Sequence, residues 1–232
     1  MPRTRHEGQY QATSQAIKDA ARRLMAEHGT AGISIRGIAK EIGLTPPAIY
    51  TYFPRLEDLI TALIVDGFNA QAAAMAEARD SVSDGDPVAQ LEAALMAYRG
   101  WALAHPVDFQ LIYGNPIPGY VAPREITVPA AVKSFTVVID AVEMALRAGR
   151  LVPAPLYARI PAYLAAHLRQ MRAQYDYVAS EMAIYLAAVG WSQLHGLVML
   201  ELFHHLQPVV GDTDQHFRAQ VSNMLHTMGF TR

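Results

Sequence analysis

The sequence predicts an all-α protein with a small basic head and a larger helical body. Apolar residues recur three and four apart, the spacing of one helix face, from Ile17 to the last residues. No stretch of any length alternates apolar and polar residues, so strands are not expected, and there is no internal repeat. Gly29 and Gly43 fall at the ends of periodic stretches, where glycine stops a helix, and Pro46 and Pro47 fall at the start of one.

The first twelve residues, "MPRTRHEGQYQA", read as a disordered basic arm in which Arg3 and Arg5 supply the charge. "TSQAIKDAARRLMAEHG" follows, with Ile17, Ala20, Ala21, Leu24 and Met25 on one face; Thr13 or Ser14 caps its start and Gly29 ends it. "SIRGIAKEIG" repeats the pattern with Ile35, Ile38, Ala39 and Ile42, capped by Ser34 and stopped by Gly43. Leu44 then stands where an apolar contact often seals a helix end. In "TPPAIYTYF" the two prolines look like helix breakers, yet Ile49 and Phe53 are spaced as on one face. With Thr45 as N-cap, Pro46 and Pro47 occupy the first two helical positions, whose N–H groups have no intrahelical partner anyway. The prolines therefore start the helix, predicted over 46–53. The tight turn Gly43-Leu44-Thr45 joins two short helices in a helix-turn-helix layout.

At about 100° per residue, Ile49 and Phe53 face the preceding helices while Pro47 and Thr51 point the opposite way. Ala48 and Tyr50 flank that outward face, and Tyr52 lies nearer its edge. A small, apolar, hydroxylated face suits thymine methyl groups and phosphate oxygens; the alternative is that both tyrosines cap the core with wet rims.

Further helices are expected over 55–80, 88–106, 107–114, 130–151, 155–176, 177–207 and 213–230, with a polar linker at "SVSDGDP" and an irregular segment at "NPIPGYVAPREITVP". Half the residues are apolar and 17% are charged, enough to bury a core. Cysteine is absent, which suits a reducing cytoplasm and removes disulfides and thiolate metal sites. The first residues have no apolar signal-type region, and no run of about 18 apolar residues suggests a membrane span. Residues 1–56 carry eight Lys/Arg against four Asp/Glu, a net of +4, and the remainder carries eleven against seventeen, a net of −6. A basic head on an acidic body points to a polyanionic partner for the head.

The stretch "AARRLMAEHGTAGISIRGIAKEIGLTPPAIYTYFPRLEDLI" resembles the DNA-binding region of the TetR family of bacterial repressors. The resemblance implies a three-helix DNA-binding domain over 13–58 and an effector-binding, dimerising helical domain over 59–232. Ser34, Arg36, Tyr50, Tyr52 and Arg55 then fall at phosphate-holding positions, and Thr45, Ala48 and Thr51 near base edges. The chain departs from the commoner pattern at Pro46 and Pro47, and at Leu56, where relatives often carry a phosphate-gripping lysine that Arg55 would replace. "GWSQLHGLVMLELF" is similar to the C-terminal domain of a subgroup marked by tryptophan, histidine and glycine, here Trp191, His195 and Gly196.

No phosphate loop or nucleophile elbow is present, and no cofactor or catalytic residue is expected. Glu201, His204 and His205 do not make a convincing metal set, because adjacent histidines on a helix point about 100° apart. Trp191 and His195 share a helix face. With Tyr98, Trp101, Phe109, Tyr113, Tyr163, Met171, Tyr175, Met182 and Tyr185 they are candidate walls of an apolar effector cavity, its mouth at 115–129, or members of an ordinary core. Partners are therefore expected to be duplex DNA, a small effector and a second copy of the chain. The seam of that dimer falls on the helices of 155–176 and 177–206, the second of which is apolar nearly all round.

Overall fold

The computed structural model describes residues 3–83, 85–114, 117–175 and 178–231, with side chains from residue 7 onward. Its α-helices among these residues are α1 (Arg3–His28), α2 (Ile35–Glu41), α3 (Pro46–Tyr50), α4 (Leu56–Asp80), α5 (Pro87–Ala104), α6 (Pro106–Tyr113), α7 (Arg124–Arg147), α8 (Ala162–Gln174), α9 (Glu181–Leu202), α10 (Gln207–Val210) and α11 (Thr213–Met228). The fold is all-helical: among the described residues the sole β feature is a single bridge between Leu151 and Phe230. The chain forms two compact units, Met1–Asn69 with His105–Ala131, and Ala70–Ala104 with Val132–Arg232. The first unit is thus larger than the expected 13–58 domain, since it takes in the first half of α4, all of α6 and the start of α7.

The core of the first unit is built from the faces read in the sequence: Ile17, Ala20 and Ala21 of α1, Ile38 of α2, Ile49 of α3 and Leu59 and Leu63 of α4 are all essentially inaccessible. Ser34 caps α2 by accepting from the Gly37 N–H. Gly43 ends that helix at φ +69°, which lets the Leu44 N–H reach back to the Ala39 carbonyl at 2.9 Å and brings Leu44 against the core. Thr45 is extended and Pro46-Pro47 open α3, with the Ala48 and Ile49 N–H groups bonding to the Thr45 carbonyl.

Four boundaries differ from expectation. Helix α1 starts at Arg3, not at Thr13 or Ser14, so the expected disordered arm is helical from residue 3; the Thr13 hydroxyl bonds back to the Gln9 carbonyl within the helix instead of capping it. Glu, Gln and Ala favour that continuation. Helix α3 stops at Tyr50, and the Thr51 and Tyr52 N–H groups close its last turn through three-residue bonds to Ala48 and Ile49. Helix α7 starts at Arg124 and keeps Pro129 inside it as its sixth residue, where the proline forfeits the one bond its N–H would have made to the carbonyl four residues back. Helix α8 begins at Ala162 rather than 155, because Ile160 precedes a proline and Pro161 sits at the N-cap.

In the second unit, Leu91 and Ala94 of α5, Ile139 and Val142 of α7, Ile184 and Val198 of α9, and Phe217 and Leu225 of α11 form the core. Arg99 is buried among them. Its guanidinium grips both oxygens of the buried Glu201 carboxylate at 2.7 Å, reaches Asp214 at 2.8 Å and lies over the Phe217 ring. The chain end is pinned by the Val152 N–H to the Gly229 carbonyl and the Ala154 N–H to the Met228 carbonyl. Gly229 ends α11 at φ +103°, and a Cβ there would stand 2.0 Å from the Val152 carbonyl oxygen. Gly229→Ala is therefore expected to cost at least about 2 kcal/mol, through backbone strain and the displaced 152–154 segment, read as a lower denaturation midpoint.

On length and composition, α4 and α9 are both apolar enough to cross a membrane, which the sequence reading did not anticipate; 56% of the relevant window of α4 is buried in the fold but 39% of that of α9. The apolar surface that α9 leaves uncovered includes Leu200 and Phe203, each 45% exposed.

Candidate nucleic-acid interface

Ile49, fully buried, and Phe53 anchor α3 to the first unit, and this fixes which side of the helix meets solvent. Thr45, Pro47, Tyr50 and Thr51 are exposed on it, with Ala48 half-buried. Ser34, Arg36 and Lys40 are exposed on α2 or at its cap. The Ser34 oxygen accepts from Gly37, which leaves its hydroxyl hydrogen free to donate to an anion. Gly37 keeps that cap tight: a Cβ there would be 3.0 Å from the Ser34 hydroxyl and 3.1 Å from a Leu24 methyl.

Tyr52 is half-buried, packed against the core and stacked on Tyr10 at 4.7 Å between ring centroids. Tyr10 is not among the residues expected at the interface, because the first twelve residues are expected to form a disordered arm; the structure brings it against Tyr52, which is one of them. The signal that would have found it is its position two helical turns before Ile17, on the same face. Arg55 follows α3 and is largely exposed, its Nη2 2.7 Å from Asp58. The pair holds the Arg55 guanidinium above its usual pKa and the Asp58 carboxyl below its own, in each case chiefly by their hydrogen bond.

Several head cations are likewise engaged. Lys18 meets Asp66 at 2.7 Å, Arg22 donates to the buried Asp108 at 2.9 Å, and Arg23 bonds to Glu41. The net +4 counted in the sequence is thus partly neutralised within the first unit, by Asp66 and Asp108 from outside residues 1–56. Arg36 and Lys40 remain as exposed cations on α2, and the side chains of Arg3 and Arg5 lie outside the described set.

The candidate effector residues divide between the two units. Phe109 and Tyr113 belong to the first unit, where their rings are 4.9 Å apart and Tyr113 meets Phe68 edge-on; burial pushes the Tyr113 phenol up from its ordinary value. Tyr98, Trp101, Tyr163, Met171, Met182, Trp191 and His195 belong to the second. There the Tyr98 hydroxyl lies 2.7 Å from His195 Nδ1, and Trp191 packs on the imidazole at 5.0 Å. Burial pushes the His195 pKa below its ordinary value, which favours the neutral ring. Tyr163 requires correction: it is 84% exposed and walls no enclosed cavity within this chain, because α8 presents it to solvent. Glu201 is taken by Arg99, while His204 and His205 are exposed, His204 with φ +60° just past the end of α9.

A cleft of about 350 Å³ opens instead in the first unit. Ile64 and Phe68 of α4, Leu111 and Ile112 of α6, and Thr127 and Val128 of α7 line it. Tyr120 crosses its rim and bonds to the Thr61 hydroxyl at 2.9 Å.

Comparison with known proteins gives concordant matches at both ends of the chain. The profile of bacterial regulatory proteins of the tetR family matches residues 17–63. That of the tetracyclin repressor-like C-terminal domain matches residues 91–224. The HTH-type transcriptional regulator Mb1846 of Mycobacterium bovis is 28% identical over 187 residues, covering 81% of this chain and 79% of its own. Rv1816 of Mycobacterium tuberculosis gives the same figures. The crystal structure of the regulatory-protein candidate SCO4313 superposes with a TM-score of 0.78 at 32% identity, covering 95% of this chain and 98% of the other.

Proposed function

Because the chain belongs to the TetR family of bacterial transcription regulators, which are DNA-binding proteins and not enzymes, we propose that it is a homodimeric repressor released from a palindromic operator by a small, mostly apolar effector. The observation that carries this reading is the face of α3 that Ile49 and Phe53 turn outward. Its exposed groups are hydroxyls and small apolar surfaces, and the exposed cations of α2 lie in the same helix-turn-helix. In the major groove, Thr45, Ala48 and Thr51 read base edges while Ser34, Arg36, Tyr50, Tyr52 and Arg55 hold phosphates. Arg55 must exchange Asp58 for phosphate to do so. In this reading the protein acts in the cytoplasm, and Trp191, His195 and Gly196 support assignment to the subgroup marked by those residues.

Dimerisation through α8 and α9 follows from the surface they leave uncovered, since a single helix-turn-helix reads too few bases to select a site. The effector occupies the cleft between α4, α6 and α7, with the hydroxyls of Tyr120 and Thr127 as polar anchors. Helix α6 links that cleft to the head. Leu111 and Ile112 form its wall, while Asp108, one turn earlier, holds Arg22 of α1. Gly67 lets α6 lie close to α4, since a Cβ there would meet Ile112 at 3.2 Å. A ligand that moves α6 therefore moves the anchor of α1.

Selection of duplexes from a random pool tests the reading. We expect recovered sequences to share an inverted repeat, and Tyr50→Ala with Arg55→Ala to abolish recovery. A pool that stays random after selection would refute DNA recognition. Asp108→Asn separately tests the relay: operator binding should persist and its release by a screened effector should weaken at least about fivefold, the low end of ordinary coupling.

A further inference from the structure

We infer that Tyr10 is a positioning residue of the DNA interface: by stacking on Tyr52 it holds that phenol ready for a phosphate before DNA arrives. The inference rests on the reading of Tyr52 as a phosphate-holding residue.

Tyr52 needs such support. Helix α3 ends at Tyr50, so Tyr52 stands on a turn and not on a helix that would restrict its side chain. Its N–H is fixed by the Ile49 carbonyl at 2.9 Å, which sets the backbone; the ring is held by the core and by Tyr10. Holding a phenol still on binding a partner costs roughly 0.5–1.5 kcal/mol. The stack supplies that order beforehand. Tyr10 comes from the leading turns of α1, carried there as a continuous helix two turns ahead of the buried Ile17. The rings lie 4.7 Å apart and 28° from parallel, a stacked geometry.

The chemistry separates positioning from packing. Tyr10 is 47% exposed, so its removal uncovers little apolar surface and should scarcely alter folding. What the stack needs from Tyr10 is its ring. The hydroxyl that reaches phosphate is that of Tyr52. The leading turns of α1 are thereby part of the DNA-binding apparatus and not a tether.

The test uses the full chain and a duplex recovered by the unaltered protein from a random pool, with affinity read by fluorescence anisotropy. Tyr10→Ala should lower affinity about threefold to tenfold, matching the worth of one aromatic pair, and Tyr10→Phe should stay within about twofold of the unaltered protein. In a Tyr52→Ala background, Tyr10→Ala should cost nothing more, because the two act as one unit. Unchanged affinity in Tyr10→Ala would overturn the inference. An equal loss with Tyr52 absent would also overturn it, since Tyr10 would then act by itself. If the unaltered protein recovers no duplex, the repressor reading fails first and the inference falls with it.

Discussion

Arg99→Met is expected to destabilise the second unit by about 3–5 kcal/mol, the cost of leaving a buried carboxylate without its partner. Arg99 and Glu201 are both buried, and each loses its strongest contact when the other is removed. The pH dependence gives the mechanism a signature. Glu201 titrates below its ordinary value of 4.5, chiefly through the hydrogen bond from Arg99. A carboxyl depressed in the folded state stabilises the fold above its unfolded pKa, and that contribution is lost as pH falls through the folded value. In Arg99→Met, burial and the Asp214 charge still raise the Glu201 pKa and only the hydrogen bond from Thr213 lowers it, so that pKa is expected to rise above its unfolded value. Stability should then fall as pH rises past 4.5, whereas the unaltered protein gains its contribution below 4.5 and holds it above. Urea denaturation at pH 4 and pH 7 checks this. A loss of the same size at both would place the effect in packing over Phe217 and not in charge.

If the proposed dimer forms through α9, Leu200→Glu combined with Phe203→Glu is expected to convert it to a monomer at micromolar concentration and to lower operator affinity at least about 100-fold, since two tethered heads gain that much over one. Both positions are 45% exposed, Leu200 on α9 and Phe203 at its C-cap, so the monomer should tolerate the charges. In a two-fold seam each glutamate would face apolar surface or its own copy. Light scattering reads the assembly. A dimer that survives both changes would move the seam away from α9.

The helical faces of the head were legible because its core is local. Ile17 sits on the long α1 and Ile38 and Ile49 on short amphipathic helices, whose ends Ser34, Gly43 and Pro46 mark. The start of α1 was not legible, since nothing in "HEGQYQATSQ" forbids helix and the true contact, Tyr10 with Tyr52, spans 42 positions. Polar residues mark helix starts and equally serve helix interiors, as Thr13 does. The effector residues were hardest. A run of tyrosines and methionines looks alike in a cavity wall, a core and an uncovered seam, and the sequence carries no sign that α8 turns Tyr163 outward. The cleft itself draws on α4, α6 and α7, far apart in the chain, and on small apolar residues with no distinguishing chemistry.

The ion pairs inside the first unit bear on how the protein responds to ionic strength. Duplex DNA carries condensed counterions, and each protein cation that neutralises a phosphate releases some of them, steepening the dependence of affinity on salt by about 0.9 per contact. Lys18, Arg22 and Arg23 are already bonded to carboxylates of the same unit, so they contribute little to this release. Affinity should therefore decline with added salt less steeply than the eight Lys/Arg of residues 1–56 would suggest. Recognition would then rest more on hydroxyls and shape, and occupancy of the operator would vary less with the ionic composition of the cell than the charge count suggests.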